Sequence, residues 1–159
     1  MMKKYLGVIV VFITLFSCKQ EKGSVVSLHN LTEYEKIKKL QLDDSYINLL
    51  NPSLSDKEEY ETILKSWSSF HNTVNDVLTK NNFSWGVADS SITVVNKIYF
   101  KKDGTINYFL VNIKNEHVSD ETKNTYVSLL KNNLDKLTID LTRDNQFAQC
   151  GKVKYKNYE

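Results

Sequence analysis

"SITVVNKIYFKKDGTINYFLVNI", residues 91–113, is the stretch that decides the fold. Residues 91–100 are rich in β-branched and aromatic types, which favour a strand. Asp103-Gly104 is one of the strongest short-range signals for a hairpin turn, after which residues 105–113 return as a second strand. Alternation assigns one face of the first strand to Ile92, Val94, Ile98 and Phe100, with Asn96 as a polar exception, and the other face to Val95 and Tyr99. The stretch therefore predicts an antiparallel β-hairpin.

A long amphipathic helix is predicted before the hairpin. Ser55 and Glu58 have capping-box spacing, and apolar residues recur from there to about Lys80 at steps of three and four. The stripe consists of Tyr60, Ile63, Leu64, Trp67, Phe70, Val74, Val77 and Leu78. We interpret it as a core face, with a partner-binding face as the alternative. A shorter helix is predicted from Asn30 to about Gln41, with another turn or two over residues 45–50.

Two more elements are predicted after the hairpin. Ser119 begins a helix whose stripe is Tyr126, Val127, Leu130, Leu134 and Leu137. Residues 137–142 form a short extended piece, and residues 146–158 a final strand interrupted at Gly151. The order of elements predicts an α+β fold over residues 30–159, in which helices cover a small antiparallel sheet.

The amino terminus has the pattern of a secretory signal peptide. Lys3 and Lys4 precede the apolar residues 5–16, which are too short to span a bilayer, since a membrane helix needs about 20 residues. Leu15-Phe16-Ser17-Cys18 resembles the lipobox of bacterial lipoproteins. The resemblance implies that residues 1–17 are cleaved and that Cys18 then carries a diacylglyceryl group with fatty acyl chains such as palmitate.

A lipid on Cys18 would hold the protein on a membrane while its body stays in water. Residues 18–29 would then be the lipidated cysteine and a polar tether. Lys19 stands where an aspartate would mark retention in the inner membrane of enterobacteria. We therefore expect an envelope protein anchored in the outer membrane, with its domain in the periplasm or at the cell surface.

Charge argues against nucleic acid as a partner. The chain has 21 Lys and Arg against 19 Asp and Glu, and the excess of two belongs to Lys3 and Lys4 of the signal segment. The remaining body is formally neutral and has no basic stretch interleaved with aromatic residues. Its one remaining cysteine, Cys150, rules out a disulfide framework within one chain.

Residues 92–158 resemble the carboxy-terminal domain of TonB-type energy transducers. That family has a strand, a "DG" turn, a strand, a helix and a last strand entered through a Gly-Lys-x-Val phrase. Its approximate counterpart is "GKVKY" at 151–155, in which Val153 follows Lys152 directly. The resemblance implies recognition of an extended peptide along a sheet edge. The family's membrane-spanning anchor and Pro-rich spacer have no counterpart in this sequence.

No set of residues has the spacing of a catalytic or metal site. His117 has three acids nearby in sequence, and Cys150 could pair with His117 only through the fold. His71 has no carboxylate or second histidine within one helical turn, and His29 belongs to the predicted tether. Ser128 and Lys131 match S-x-x-K without the accompanying motifs of that enzyme class. We predict no enzyme, no cofactor and no metal ion.

Two functions from different classes are the main candidates, and a third hypothesis is a hydrolase that uses His117 or Cys150. The first is a non-catalytic, membrane-tethered domain that binds a protein or peptide at the edge of the hairpin or of the final strand. The alternative is a small-ligand carrier with a pocket between the long helix and the sheet, lined by Tyr60, Trp67, Phe70 and Trp85.

Overall fold

The computed structural model describes residues 23–157. The predicted signal peptide, Cys18, the first part of the tether and the predicted end of the last strand at Tyr158 lie outside the described residues. Residues 23–157 form an α+β fold with five strands and three α-helices. The elements are β1 (Ser24–Ser27), α1 (Leu31–Lys38), β2 (Ile47–Asn48), α2 (Lys57–Lys80), β3 (Ser91–Phe100), β4 (Ile106–Ile113), α3 (Asp120–Asn132) and β5 (Phe147–Lys156).

The predicted hairpin is confirmed. Strands β3 and β4 pair antiparallel, and Lys101 N–H donates to Thr105 O at 2.8 Å to close the turn. Gly104 adopts φ +83°, a conformation that side chains with a Cβ rarely adopt. Asp103 Oδ1 accepts hydrogen bonds from the Thr105 N–H at 3.0 Å and from its hydroxyl at 2.6 Å. The local chemistry of Asp103 and Gly104 thus sets the turn.

The sheet has the strand order β1-β4-β3-β5-β2 and is mixed. Its three central strands are antiparallel, as predicted. The expectation of a wholly antiparallel sheet is wrong at both edges, where β1 pairs parallel with β4 and β2 pairs parallel with β5. Each edge strand lies far in sequence from the strand with which it pairs. The chain between them is therefore long enough for the crossover connection that parallel pairing requires.

Strand β1 corrects the predicted tether, because residues 24–27 belong to the folded domain. Val25 and Val26 are 0% and 3% exposed, and they enter the hydrophobic clusters on opposite faces of the sheet. His29, also assigned to the tether, donates from Nε2 to Ile113 O at 2.8 Å. Two valines in "SVVS" favour a strand, and burial on both faces fixes it.

The two faces of the sheet are covered unequally. Helices α2 and α3 pack on one face and enclose the main core, which includes Phe70, Phe100 and Phe109. On the other face, α1 and the turn at residues 42–44 cover a small cluster around Tyr46 and Tyr99. This second face is apolar only near α1, so much of it remains open.

Helix α2 matches the predicted element closely. Six of the eight residues of the predicted stripe are buried in the core, together with Ser66 and His71. The prediction is wrong for Leu64, which is exposed, and Tyr60 is only half-buried. Its N-cap is Asp56 rather than the predicted Ser55, with Asp56 Oδ1 accepting from Glu59 N–H at 2.9 Å. Among the helices of residues 23–157, none is both long and apolar enough to span a membrane.

Three other predictions need correction. Helix α1 has the predicted N-cap Asn30 but ends at Lys38. Residues 47–48 form β2 instead of a helical turn, since Leu49 N–H bonds to Ala148 O of β5 at 2.9 Å. Strand β5 runs through Gly151 without interruption, because Gly151 pairs with Asn96 of β3.

Replacing Gly104 by alanine tests the turn. A Cβ at Gly104 would overlap the carbonyl oxygens of Ile139 and Leu141, and φ is positive there. We expect a loss of about 3 kcal/mol or more in the free energy of unfolding, measured by urea denaturation.

Gly86→Ala is the matched control, because Gly86 also has positive φ (+66°) but the nearest atom to its Cβ, Thr122 Oγ1, is 3.8 Å away. We expect a loss of about 1 kcal/mol from backbone strain alone. Equal losses in the two variants would show that the docking of the turn against residues 139–141 contributes nothing.

Candidate functional site

Most of the outer side of β5 pairs with no strand of the part of the chain that the structure describes. Strand β5 pairs with β3 along its whole length, from Phe147 to Lys156, whereas β2 covers its other side only at Phe147 and Ala148. No other strand of residues 23–157 pairs with that side. We call the stretch from Cys150 to Lys156 on this side the free edge of β5. Free strand edges are templates for pairing with another chain.

The hydrogen bonds of β5 show which backbone groups the free edge offers. Ala148 O accepts from Leu49 N–H on the outer side, whereas Asn157 N–H donates to Ser90 O on the inner side. Because residues two apart in a strand point their N–H and C=O the same way, the outward groups belong to the even-numbered residues. Cys150, Lys152 and Lys154 therefore present donors and acceptors to a further strand, as does Lys156 at the end of β5.

Three lysines flank the free edge on the less covered face of the sheet. Lys152, Lys154 and Lys156 alternate along β5 and are all exposed, and we call them the β5 lysine row. Their partners across β3 are Val95, Thr93 and Ser91, none of which is an acid. Within residues 23–157, no lysine of the row makes an ion pair.

The opposite face of the free edge is apolar and close to α2. Gly151 lies under Trp67, whose ring atoms stand 3.2–3.4 Å from where a Cβ of residue 151 would be. Val153 is half-buried and packs against the main core. An added strand would therefore meet positive charge on one face and an apolar surface on the other.

The four residues predicted to line a ligand pocket do not surround one. Trp67, Phe70 and Trp85 are buried in the main core, at 8%, 2% and 1% exposure. Trp67 and Phe70 stack with ring centroids 6.5 Å apart, whereas Trp85 packs elsewhere, against Phe83. Tyr60 is half-buried and its hydroxyl donates to Leu50 O at 3.4 Å. Protein side chains fill the space between α2 and the sheet that the prediction gave to a ligand.

A cavity of about 300 Å³ lies on the other face of the sheet, beside α1. Its lining is mostly apolar, from residues such as Ile37 and Leu110, and it also includes Cys150. Two of its charged groups bond to each other, because Lys97 Nζ donates to Asp43 Oδ2 at 2.6 Å, and Tyr99 OH donates to Asp43 Oδ1 at 2.9 Å. The third, Lys38, lies 3.7 Å from Glu35 Oε1. These polar groups need no ligand to be satisfied.

The charges at that cavity hold each other ionised. The hydrogen bond from Lys97, helped by the one from Tyr99, keeps the pKa of Asp43 below its usual range against the effect of burial. Burial is the largest single effect on Lys97 and lowers its pKa, but the interactions with Asp43 and Tyr99 together outweigh it, and the net pKa is raised. The pair is therefore a fixed structural link between the turn at residues 42–44 and β3.

The structure does not bring the candidate catalytic residues together. His117 lies in the turn before α3, whereas Cys150 lies on β5 and faces the cavity beside α1. Ser128 and Lys131 lie on α3, and Lys131 Nζ is 4.0 Å from Glu33 Oε2. Among residues 23–157, no three His, Cys, Asp or Glu side chains are placed to hold a metal ion.

One polar cluster lies inside the main core. His71 of α2 shares a 2.6 Å hydrogen bond between Nδ1 and the hydroxyl of Tyr155, which also accepts from Asn96 Nδ2 at 3.4 Å. This explains Asn96, the polar exception on the buried face of β3. His71 Nε2 has no partner among the described residues. The three residues of the cluster are 0–5% exposed, and none of them lines the cavity beside α1. The cluster therefore links α2 to β5 and β3 rather than forming a reaction site.

Comparison with known proteins adds no relative. No family model matches the chain, and no curated protein or solved structure shows significant similarity to it.

Sequence reasoning named the final strand as a candidate edge but missed the β5 lysine row. The signal was present in "KVKYK" at 152–156, where lysines alternate with Val153 and Tyr155. That alternation predicts a strand with one charged and one apolar face. Which side of the strand is free depends on pairing with β3 and β2, and the sequence shows neither.

The pH dependence of stability tests the buried cluster. Burial lowers the pKa of His71 from 6.5 to about 3. Between these values the unfolded chain binds a proton at His71 and the folded chain does not. The free energy of unfolding should therefore fall with falling pH, by up to about 1.4 kcal/mol per pH unit from this residue alone. Above pH 6.5 this dependence disappears.

Urea unfolding of the wild type and His71→Gln across this pH range measures the effect. The variant should be less stable at pH 7 but should have a shallower slope. His117→Gln, in a surface turn, is the control and should keep the wild-type slope. Parallel slopes in the wild type and His71→Gln would contradict a neutral, buried His71.

Proposed function

We propose that this protein is a lipid-anchored envelope protein that binds an extended segment of a protein or peptide along the free edge of β5. The free edge is the observation that carries the proposal, because it offers unpaired N–H and C=O groups over residues 150–156. Adding a strand to an exposed edge is a common mode of peptide recognition. The resemblance of residues 92–158 to TonB-type domains led to the same expectation.

The edge is well suited to binding because its own sheet holds it firmly. All ten residues of β5 pair with β3, and Phe147 and Tyr155 are 1% exposed. A rigid edge loses little conformational entropy when a partner strand joins it. The cavity beside α1 is a weaker candidate, since Lys97, Asp43 and Tyr99 already satisfy each other.

The lipobox carries the anchoring part of the proposal. Leu15-Phe16-Ser17-Cys18 would direct acyl chains to Cys18, and two or more chains give stable membrane attachment. The folded domain begins by Ser24, so only a few residues would separate it from the lipid. A short connection would keep the folded domain near the membrane surface, in our proposal the outer membrane.

Cys18→Ala tests the anchor. We expect the wild type to incorporate labelled palmitate and to sediment with the membrane fraction, and the variant to do neither. Cys150→Ala, which removes the other cysteine, should behave as the wild type does. Palmitate labelling that survives Cys18→Ala and disappears in Cys150→Ala would contradict the assignment.

Site-specific photo-crosslinking in intact cells tests the edge. A photoreactive amino acid at position 152 should give a discrete crosslinked product. The same amino acid at position 136, in the exposed segment after α3, should not. Lys154→Pro should abolish the product, because proline removes an outward N–H while the inward ladder of the odd-numbered residues stays intact.

Lys154→Ala is the matched control, since it removes the same side chain but keeps the N–H, and it should retain most of the product. Thermal unfolding should show that both variants remain folded. A product that survives Lys154→Pro would show that contact at position 152 does not use backbone pairing, and would contradict strand addition.

A further inference from the structure

The β5 lysine row is a concentration of unbalanced charge in a body that is formally neutral. Lys152, Lys154 and Lys156 project from one face at alternate positions, with neutral residues opposite them on β3. Alternate residues of a strand stand about 6.6 Å apart, so the three charges repel each other. No acidic group within residues 23–157 forms an ion pair with a lysine of the row, so no direct contact offsets that repulsion.

We propose that the segment bound at the free edge of β5 is acidic, with carboxylates at alternate positions that face the β5 lysine row. This inference rests on the function proposed above and specifies the chemistry of the partner. A strand paired with the free edge places every second side chain directly beside one lysine. Carboxylates there would form cross-strand ion pairs in the positions that β3 leaves neutral.

The face of the free edge on the side of α2 specifies the side chains at the remaining positions of the partner segment. The other side chains of an added strand would point to the side of α2, near Val153 and the ring of Trp67 over Gly151. Apolar side chains fit that surface. The partner segment is therefore an alternation of acidic and apolar residues, and its acidic positions distinguish it from an ordinary amphipathic strand.

Edge lysines have another known use, which is to prevent sheets from pairing edge to edge. That use requires only that the edge be charged, and it gives no preference for an acidic peptide. It also predicts that a variant without the lysines will self-associate. The two roles therefore differ in what the lysines do to peptide affinity.

The experiment measures binding of fluorescent synthetic peptides to the full chain in detergent micelles, by fluorescence polarisation. The main probe alternates glutamate and valine over about seven residues, which matches the length of the free edge. A second probe has glutamine in place of glutamate. A third has the glutamate–valine sequence with N-methyl groups on alternate residues, which block hydrogen bonding on one edge of the peptide.

The protein variants isolate the charge. One replaces Lys152, Lys154 and Lys156 by glutamine. Its control replaces three exposed lysines at the end of α1 by glutamine, namely Lys36, Lys38 and the C-cap Lys39, so both variants lose three charges. We expect the glutamate–valine peptide to bind the wild type and the α1 control equally, and to bind the β5 variant at least tenfold more weakly. The difference should shrink at high salt.

The outcomes separate this inference from the function on which it rests. If the glutamate and glutamine peptides bind equally well and the N-methylated peptide does not bind, strand addition holds but the acidic partner is wrong. Self-association of the β5 variant with unchanged peptide affinity would likewise assign the lysines to edge protection and overturn the inference. If neither peptide binds at about 1 mM, at the weak end of the affinity scale, or if N-methylation has no effect, the proposed function fails as well.

Discussion

The register between β3 and β5 is the constraint on which the rest of the structure depends. Ser91 pairs with Lys156 and Phe100 with Phe147, without a bulge between them. This register places Tyr155 in the core and the β5 lysine row on the open face. Since side chains alternate, a slip of one residue would bury the three lysines and expose Phe147 and Tyr155. The same register directs the odd-numbered backbone groups to β3 and leaves the even-numbered groups at the free edge.

The polar cluster in the core reinforces that register. Tyr155 meets His71 and Asn96 only when β5 is in its native position, because their hydrogen bonds come from α2 and β3. A strand slipped by one residue would expose Tyr155 and leave His71 and Asn96 buried without this partner, and each unpaired buried group costs about 1–3 kcal/mol. Gly151 adds a steric condition, since ring atoms of Trp67 stand 3.2–3.4 Å from where a Cβ at that position would be, which is tighter than most real contacts of a Cβ. Core polarity and close packing thus select one alignment.

The parts of the fold that local chemistry controls could be predicted from the sequence. Asp103 and Gly104 determine the hairpin turn, and the stripe of α2 reports its buried face, so both elements were predicted correctly. The edge strands could not be predicted, because β1 and β2 have four and two residues and depend on partners far away in sequence. The predicted pocket failed for a related reason. Aromatic residues at helical spacing identify an apolar face, but they do not show whether neighbouring rings fill the space opposite, as Phe83 and Tyr126 do around Trp85.

The two edges of the sheet are covered to different extents, and this difference favours binding at β5. Strand β1 closes one side with four residues, and α3 packs beside it. On the other side, β2 covers only two of the ten residues of β5. A longer β2 would be enough to protect the edge of β5 from unwanted pairing. It would satisfy the free backbone groups without bringing three like charges together. Lysines that flank an uncovered edge, above a half-buried Val153, cost electrostatic repulsion in the free protein. An acidic strand would remove that repulsion. The free edge of β5 therefore has the features expected of a surface that pairs with an acidic strand.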